Sequence, residues 1–227
     1  MQIKLNEIIC GDALRLLKDL SDNSVDITFT SPPYNRKRND KYDFYEDNIV
    51  DFYEFLINIT NELMRVTKRY VIINIQKTYY NKADVFKYIG KYATNILDIV
   101  IWEKSNPKPS SGDSITNAYE FFIILGDEPL KSNFTYTKNH ITTSINNNMP
   151  NEHRAVMRTD VCQWFIENFT NKNEVILDPF MGSGTTAVVC KSLNRNYIGF
   201  EISEKYCEYA RERVGISCSQ GKNVALF

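Results

Sequence analysis

Two segments carry residue types that could do chemistry together: Ser31-Pro32-Pro33-Tyr34 near one end of the chain and Asp178-Pro179-Phe180-Met181-Gly182-Ser183-Gly184-Thr185-Thr186 near the other. In the first, two successive prolines have fixed φ and no amide donors, so the turn presents carbonyls rigidly. The Ser31 hydroxyl and the Pro32 carbonyl are suited to accept both N–H bonds of an exocyclic amine on a base. Such an amine is a poor nucleophile because its lone pair is delocalised into the ring. Accepting both N–H bonds favours a pyramidal nitrogen whose lone pair is aimed at an electrophilic methyl, which is positioning and electrostatics without a covalent intermediate. Tyr34 offers a ring on which an extruded base could stack, worth about 1–3 kcal/mol. That offsets much of the few kcal/mol that extrusion costs. The competing reading of the tetrapeptide alone is a proline pair that merely ends a strand.

The second segment has the glycines of a nucleoside-cofactor loop. Gly182 to Ala187 fits G-x-G-x-x-A after an apolar run, and Glu201 follows Gly182 by 19 residues, which is the context that pattern requires. Glycine lets the backbone turn tightly and approach a ligand, and the free amides of the following helix favour a negative group such as a carboxylate. Glu201 is placed to accept both ribose hydroxyls. Asp178, at a strand tip, suits a cationic amine, and so the amino-acid end of S-adenosylmethionine better than a dinucleotide pyrophosphate. No G-x-x-x-x-G-K is present, which argues against a triphosphate P-loop. Asp12, after Gly11, could accept from an adenine amino group or cap the next helix. A packing glycine turn and a nicotinamide cofactor are the competing readings.

The elements that must hold these segments alternate. Periodicity predicts strands at Glu7 to Cys10, Val25 to Thr30, Tyr70 to Gln76, Ile96 to Trp102, Tyr119 to Leu125, Glu174 to Asp178 and Tyr197 to Glu201. Helices are predicted from Ala13, at Val50 to Val66, Lys82 to Tyr92, Arg158 to Phe169, Thr185 to Leu193 and Glu204 to Val214. Asn35 to Asp47 reads as a charged, tyrosine-rich loop placed like a lid. Gly126 to Pro150 shows no clear periodicity and reads as an insertion. Strand–helix alternation implies an α/β, doubly wound, mostly parallel sheet, with ligands at the carboxyl ends of its strands. The 227 residues, 43% hydrophobic, fit one domain over 1–227, with 126–150 a small candidate target-recognition insertion. Five scattered cysteines without a C-x-x-C pair, and only two histidines, give no metal site. A net charge of −1 confines nucleic-acid contact to local basic patches. No apolar run reaches the roughly 18 residues of a membrane span, and the first residues lack a secretory pattern, so a cytoplasmic location is expected.

Catalytic turn before cofactor loop is a permuted order, and in it the chain resembles the beta group of DNA amino-methyltransferases of restriction-modification systems. Further matches are Gly11-Asp12, Trp102-Glu103-Lys104 with Asn106-Pro107-Lys108-Pro109, Glu120 before an apolar strand, and His153-Arg154-Ala155. The resemblance implies a Rossmann-like sheet of seven strands, one antiparallel, assigned to Tyr119 to Leu125. It implies that Asp178, Phe180, Gly182, Gly184 and Thr185 hold the methionine part of S-adenosylmethionine, Glu201 the ribose and Asp12 the adenine, with Thr30 and Pro179 also among the cofactor-binding residues. Phe180 would lie near the sulfonium, and Ser31, Pro32, Pro33 and Tyr34 would hold the target base. Arg158 departs from the proline more usual before its helix. A serine opening the tetrapeptide is commoner in this family among enzymes acting on N4 of cytosine, an aspartate or asparagine among those acting on N6 of adenine. Carbon-5 methylation would need a cysteine nucleophile, usually after proline, and no cysteine here follows one. Arg36, Lys37, Arg38 and Lys41 are candidate phosphate contacts, with Lys104, Lys108, Lys131, Lys138, His140 and Arg154 extending the face. The partner implied is double-stranded DNA; a homodimer, a second methyltransferase subunit and a cognate restriction endonuclease are open. So are an RNA adenine methyltransferase, a silent DNA-binding partner and a nucleotide-dependent dehydrogenase.

Overall fold

The computed structural model describes residues 4–35, 49–107, 115–144 and 157–215. Its elements in chain order are β1 (Glu7–Cys10), α1 (Ala13–Leu17), β2 (Val25–Thr30), α2 (Phe52–Val66), β3 (Thr67–Ile75), α3 (Lys82–Lys91), β4 (Ile96–Lys104), β5 (Tyr119–Leu125), β6 (His140–Thr143), α4 (Thr159–Phe169), β7 (Val175–Asp178), α5 (Thr185–Ser192), β8 (Asn196–Glu201) and α6 (Glu204–Val214). They form one sheet of eight strands in the order β1-β8-β7-β2-β3-β5-β4-β6. Only β5 runs against its neighbours, β3 and β4, and the other pairings are parallel.

Alternation along each strand sends side chains to two cores. Ile27 and Phe29 of β2 and Tyr70 and Ile72 of β3 meet α4, α5 and α6 on one face. Val71, Ile73 and Ile75 meet α1, α2 and α3 on the other. The first core is centred on Phe29, Phe122 and Phe165, with ring centroids 4.2 Å apart for Phe122 and Phe165. Offset aromatic contacts of this kind add to area burial. Among the described residues no helix is long and apolar enough to cross a membrane.

The sheet has one strand more than the seven expected. β6 lies inside the 126–150 segment and pairs with the edge of β4, Trp102 opposite Ile141. Its four half-exposed residues, His-Ile-Thr-Thr, carry too little alternation to announce a strand. Two helix starts also move. α2 begins at Phe52, not Val50, because Asp51 caps it by accepting the Glu54 amide at 3.1 Å. α4 begins at Thr159, and Arg158 stands at its cap without a side-chain cap bond. The Arg158 guanidinium instead pairs with Asp160 at 2.6 Å and donates to the Ser144 carbonyl at 2.9 Å. β3 starts three residues early, since Thr67 pairs with Val25.

Candidate active site

From β7 the sheet runs outward through β8 to β1, and from β2 it runs the other way through β3, so its direction reverses between β7 and β2. Parallel sheets open a ligand crevice at such a reversal, beyond the carboxyl ends of the strands. Thr30 ends β2 and Asp178 ends β7. The Thr30 hydroxyl donates to Asp178 Oδ1 at 2.7 Å, across 148 positions of sequence. The Ser31 turn begins at the next residue and the glycine loop follows Asp178, so the two segments that looked chemical converge at one place.

Asp178 is buried and accepts three hydrogen bonds, from Thr30, from the Thr186 hydroxyl at 2.6 Å and from the Phe180 amide at 3.1 Å. Among the described residues no Lys or Arg forms an ion pair with it. Burial pushes its carboxyl up to about 6, against the pull of the Thr186, Thr30 and Phe180 hydrogen bonds. An ionised carboxylate in such a place calls for a cation, which none of the described residues supplies. Pro179 is buried beneath the loop, and the Phe180 ring packs edge-on to Phe55 of α2 at 6.0 Å between centroids.

Gly182 adopts φ +51°, and a Cβ there would meet nothing nearer than the Phe180 carbonyl at 3.9 Å, so the loop leaves its backbone uncovered. Its amide donates to Glu201 Oε2 at 2.8 Å, while Glu201 Oε1 accepts from the Ser203 amide at 2.9 Å. The Glu201 carboxylate is thereby fixed beside the loop, and burial raises its pKa. Gly184, at φ +83°, lies against α6, where a Cβ would come within 2.9 Å of the Ala210 Cβ. The Thr185 hydroxyl accepts from Arg213 at 3.0 Å and donates to the Met157 carbonyl at 3.3 Å. Arg213 also reaches the Ser183 carbonyl at 3.1 Å and so ties the glycine loop to α6. Asp12 caps α1 through the Arg15 amide at 2.9 Å and follows Cys10, which pairs with Glu201. A lone carboxylate for an amine, a second for vicinal hydroxyls and an uncovered glycine backbone between them fit S-adenosylmethionine. Among the described residues no cluster of three or more His, Cys, Asp or Glu could hold a metal.

On the turn side, Ser31 Oγ lies 2.8 Å from Tyr34 Oη and donates to Asn74 Oδ1 at 3.2 Å. Tyr34 Oη donates to the same Asn74 oxygen, with Glu120 Oε2 at 3.3 Å. Asn74 is fully buried, and its amide is oriented by donating to the Phe121 carbonyl at 3.1 Å. It therefore offers only an oxygen to the turn, drawing the Ser31 proton inward and leaving the hydroxyl lone pairs for an incoming N–H. Lys104 pairs with Glu120 at 3.3 Å and sits over the Trp102 ring. The Tyr34 ring is thus held by its hydroxyl. Asn35, at φ +51°, clips the turn to Ile49 by two hydrogen bonds of 3.0 and 3.1 Å.

Four partners in this site were not singled out as site residues in the sequence: Asn74, Glu120, Thr186 and Arg213. Glu120 gave a signal there, as an acid opening an apolar strand, and Thr186 lay within the quoted glycine motif without a role of its own; Asn74 and Arg213 gave none. Of the basic residues, Lys104 reaches the site through Glu120. Lys131 and Lys138 precede β6, at the amino ends of the parallel strands and away from the crevice. His140 is engaged by Glu103 at 3.1 Å. Arg36, Lys37, Arg38, Lys41, Lys108 and Arg154 lie outside the described residues. Two surface cavities of about 390 and 400 Å³ open at the far end of the sheet, one beside Asn6, Asn173 and Arg195, the other beside Phe134, Tyr136 and Lys138, and neither takes a residue of the crevice.

Comparison with known proteins puts these features in a family. The family model described as DNA methylase matches residues 25–212. The type II methyltransferase M.HinfI of Haemophilus influenzae is 26% identical over 92% of this chain and 68% of its own length. Among solved structures, the PvuII DNA methyltransferase, titled cytosine-N4-specific, superposes with a TM-score of 0.78 at 18% identity, covering 96% of this chain and 87% of that one. M1.HpyAVI, solved as a complex with SAM, gives a TM-score of 0.61 at 23% identity, covering 91% and 97%.

Proposed function

The chain belongs to the DNA methylase family of N6 and N4 amino-methyltransferases, and from that premise we propose that it methylates the N4 amine of cytosine in a specific sequence of duplex DNA, on a base swung out of the helix. It is an S-adenosylmethionine-dependent DNA amino-methyltransferase of the restriction-modification type. The observation that carries the reading is the hydrogen bond from Thr30 to Asp178, which sets the amine-accepting turn against the cofactor loop. S-adenosylmethionine, when bound, supplies an electrophilic methyl on a sulfonium sulfur.

The protein's own residues do the rest by placement. Asp178, held by Thr30, Thr186 and the Phe180 amide, accepts the cationic end of the amino acid. Glu201 takes the ribose hydroxyls, and the bare Gly182 backbone admits the close approach. Ser31 and the Pro32 carbonyl accept the two N–H bonds of the target amine, while Asn74 keeps the serine proton pointed away. Tyr34 forms a fixed wall beside the base. Support for cytosine over adenine comes from the serine at the head of the turn, and it accords with the specificity titled for the PvuII enzyme.

The test is tritium transfer from labelled cofactor to duplex DNA and to RNA, followed by nucleoside mass spectrometry of DNA from expressing cells. N4-methylcytosine is the expected product. N6-methyladenine in its place overturns the choice of base, and label appearing only in RNA overturns the choice of nucleic acid.

A further inference from the structure

The loop joining β3 to α3 takes no part in the chemistry above, yet it is built against it. Gln76 to Asn81 leaves the carboxyl end of β3 beside the turn that leaves β2, since Thr30 pairs with Ile73. It carries two bare aromatic rings, Tyr79 at 80% and Tyr80 at 55% exposure. The rings brace each other in a T-shape, 5.4 Å between centroids and 87° between planes. The Lys82 ammonium lies 5.2 Å from the Tyr79 centroid.

These rings are held in water by a tightly fixed loop. Asn81, fully buried, donates to the Tyr34 carbonyl at 2.6 Å and the Gln76 carbonyl at 2.9 Å, and accepts the Thr78 amide at 2.6 Å. From the other side Asn117, just ahead of β5, donates to the Lys77 carbonyl at 2.7 Å. One side chain thus couples the tyrosine loop to the backbone of the catalytic turn. Two tyrosines and two lysines displayed beside the place where a base must be received match what an opened duplex presents: unstacked base faces and phosphates.

We propose that Tyr79 and Tyr80 open the duplex, stacking in the gap that the extruded base leaves while Lys77 and Lys82 meet the flanking phosphates. The inference rests on the reading that this protein methylates an extruded base, and it adds the element that drives extrusion. Base–aromatic stacking recovers part of what unpairing costs, and it tolerates any neighbouring sequence because every base has a π-face.

The experiment uses synthetic duplexes carrying the methylated site, mapped by sequencing DNA from expressing cells. In one the target base is paired; in the other it faces an abasic position and is already unpaired. Single-turnover methyl transfer is measured for the wild type, for the double variant Tyr79→Ala with Tyr80→Ala, and for Tyr79→Phe with Tyr80→Phe. The alanine variant is expected to lose roughly 10- to 100-fold on the paired duplex and no more than about threefold on the unpaired one. The phenylalanine variant keeps the rings and is expected to keep the rate. 2-Aminopurine at the target position should brighten on binding wild type and not on binding the alanine variant. Equal losses on both duplexes, or loss on neither, overturn the inference. A wild type that methylates neither duplex fails earlier, at the methyltransferase reading, and takes this inference with it.

Discussion

Asp178 sets the protein's response to pH. Its folded value of about 6 lies above the ordinary 3.8, so holding the carboxylate ionised costs the ligand-free fold about 3 kcal/mol. The group favours the protonated folded state, so its contribution to stability is fully present below pH 3.8 and is lost as pH rises through about 6. Asp178→Asn is therefore expected to raise the unfolding midpoint of the ligand-free protein at pH 7.5 by several degrees. The same change should weaken cofactor binding by at least about tenfold, and calorimetry together with thermal unfolding reads both. In the wild type, cofactor affinity should fall as pH drops below about 6. Ser31→Ala, by contrast, should leave cofactor affinity unchanged and slow transfer on the order of 100-fold. Asn74→Ala should slow transfer about 10-fold and also cost about 1–3 kcal/mol of stability, because Ser31 and Tyr34 lose a buried acceptor. Rapid-quench kinetics and denaturant unfolding separate the two effects. The residues legible in the sequence, Ser31, Asp178 and Glu201, were those whose role shows within one loop or at a fixed spacing. Asn74 and Arg213 were hidden, because each acts on a partner brought to it only by folding, whereas Thr186 stood inside the glycine motif and only its bond to Asp178 had to come from the structure.

Gly184 is the point where α5 must pass α6. Its left-handed φ and the 2.9 Å approach to Ala210 make Gly184→Ala destabilising by about 2–3 kcal/mol, with weakened cofactor binding as the loop is pushed from its seat. Gly90, in α3, has nothing within 4 Å of a Cβ, so Gly90→Ala should stabilise by about 0.5–1 kcal/mol through helix propensity. Thermal unfolding of the pair compares the two in one fold. At this scale the sequence was informative where a strand or helix was long and buried, as in β2, β5, α2 and α4, because periodicity needs several turns or alternations to register. β6 failed that condition: it exists because the free edge of β4 offers it a partner. Helix starts followed the hydrogen bonds of the caps, as Asp51 illustrates.

Across the whole molecule, the doubly wound arrangement and the single reversed strand at β5 were legible from strand–helix alternation and the family resemblance; the order of strands about the crevice had to come from the structure. Because β2 and β7 are joined by sheet pairing, by the Val175 amide donating to Asp26 and by the Thr30–Asp178 bond at their tips, ligand binding at those tips should stabilise the chain as one unit. Cofactor at 100 times its dissociation constant should add about 2.7 kcal/mol in a single transition, with amide hydrogen exchange slowing together in both strands. The sheet order has another effect. β7 and β8, from the last third of the chain, sit between β1 and β2 from its beginning, so a growing polypeptide cannot join its own opening strands until the ribosome has delivered the final ones. The early part must wait with two strand edges bare, which invites chaperone holding during synthesis. A product stopped before β8 lacks both Glu201 and the strand that joins β1 to β7.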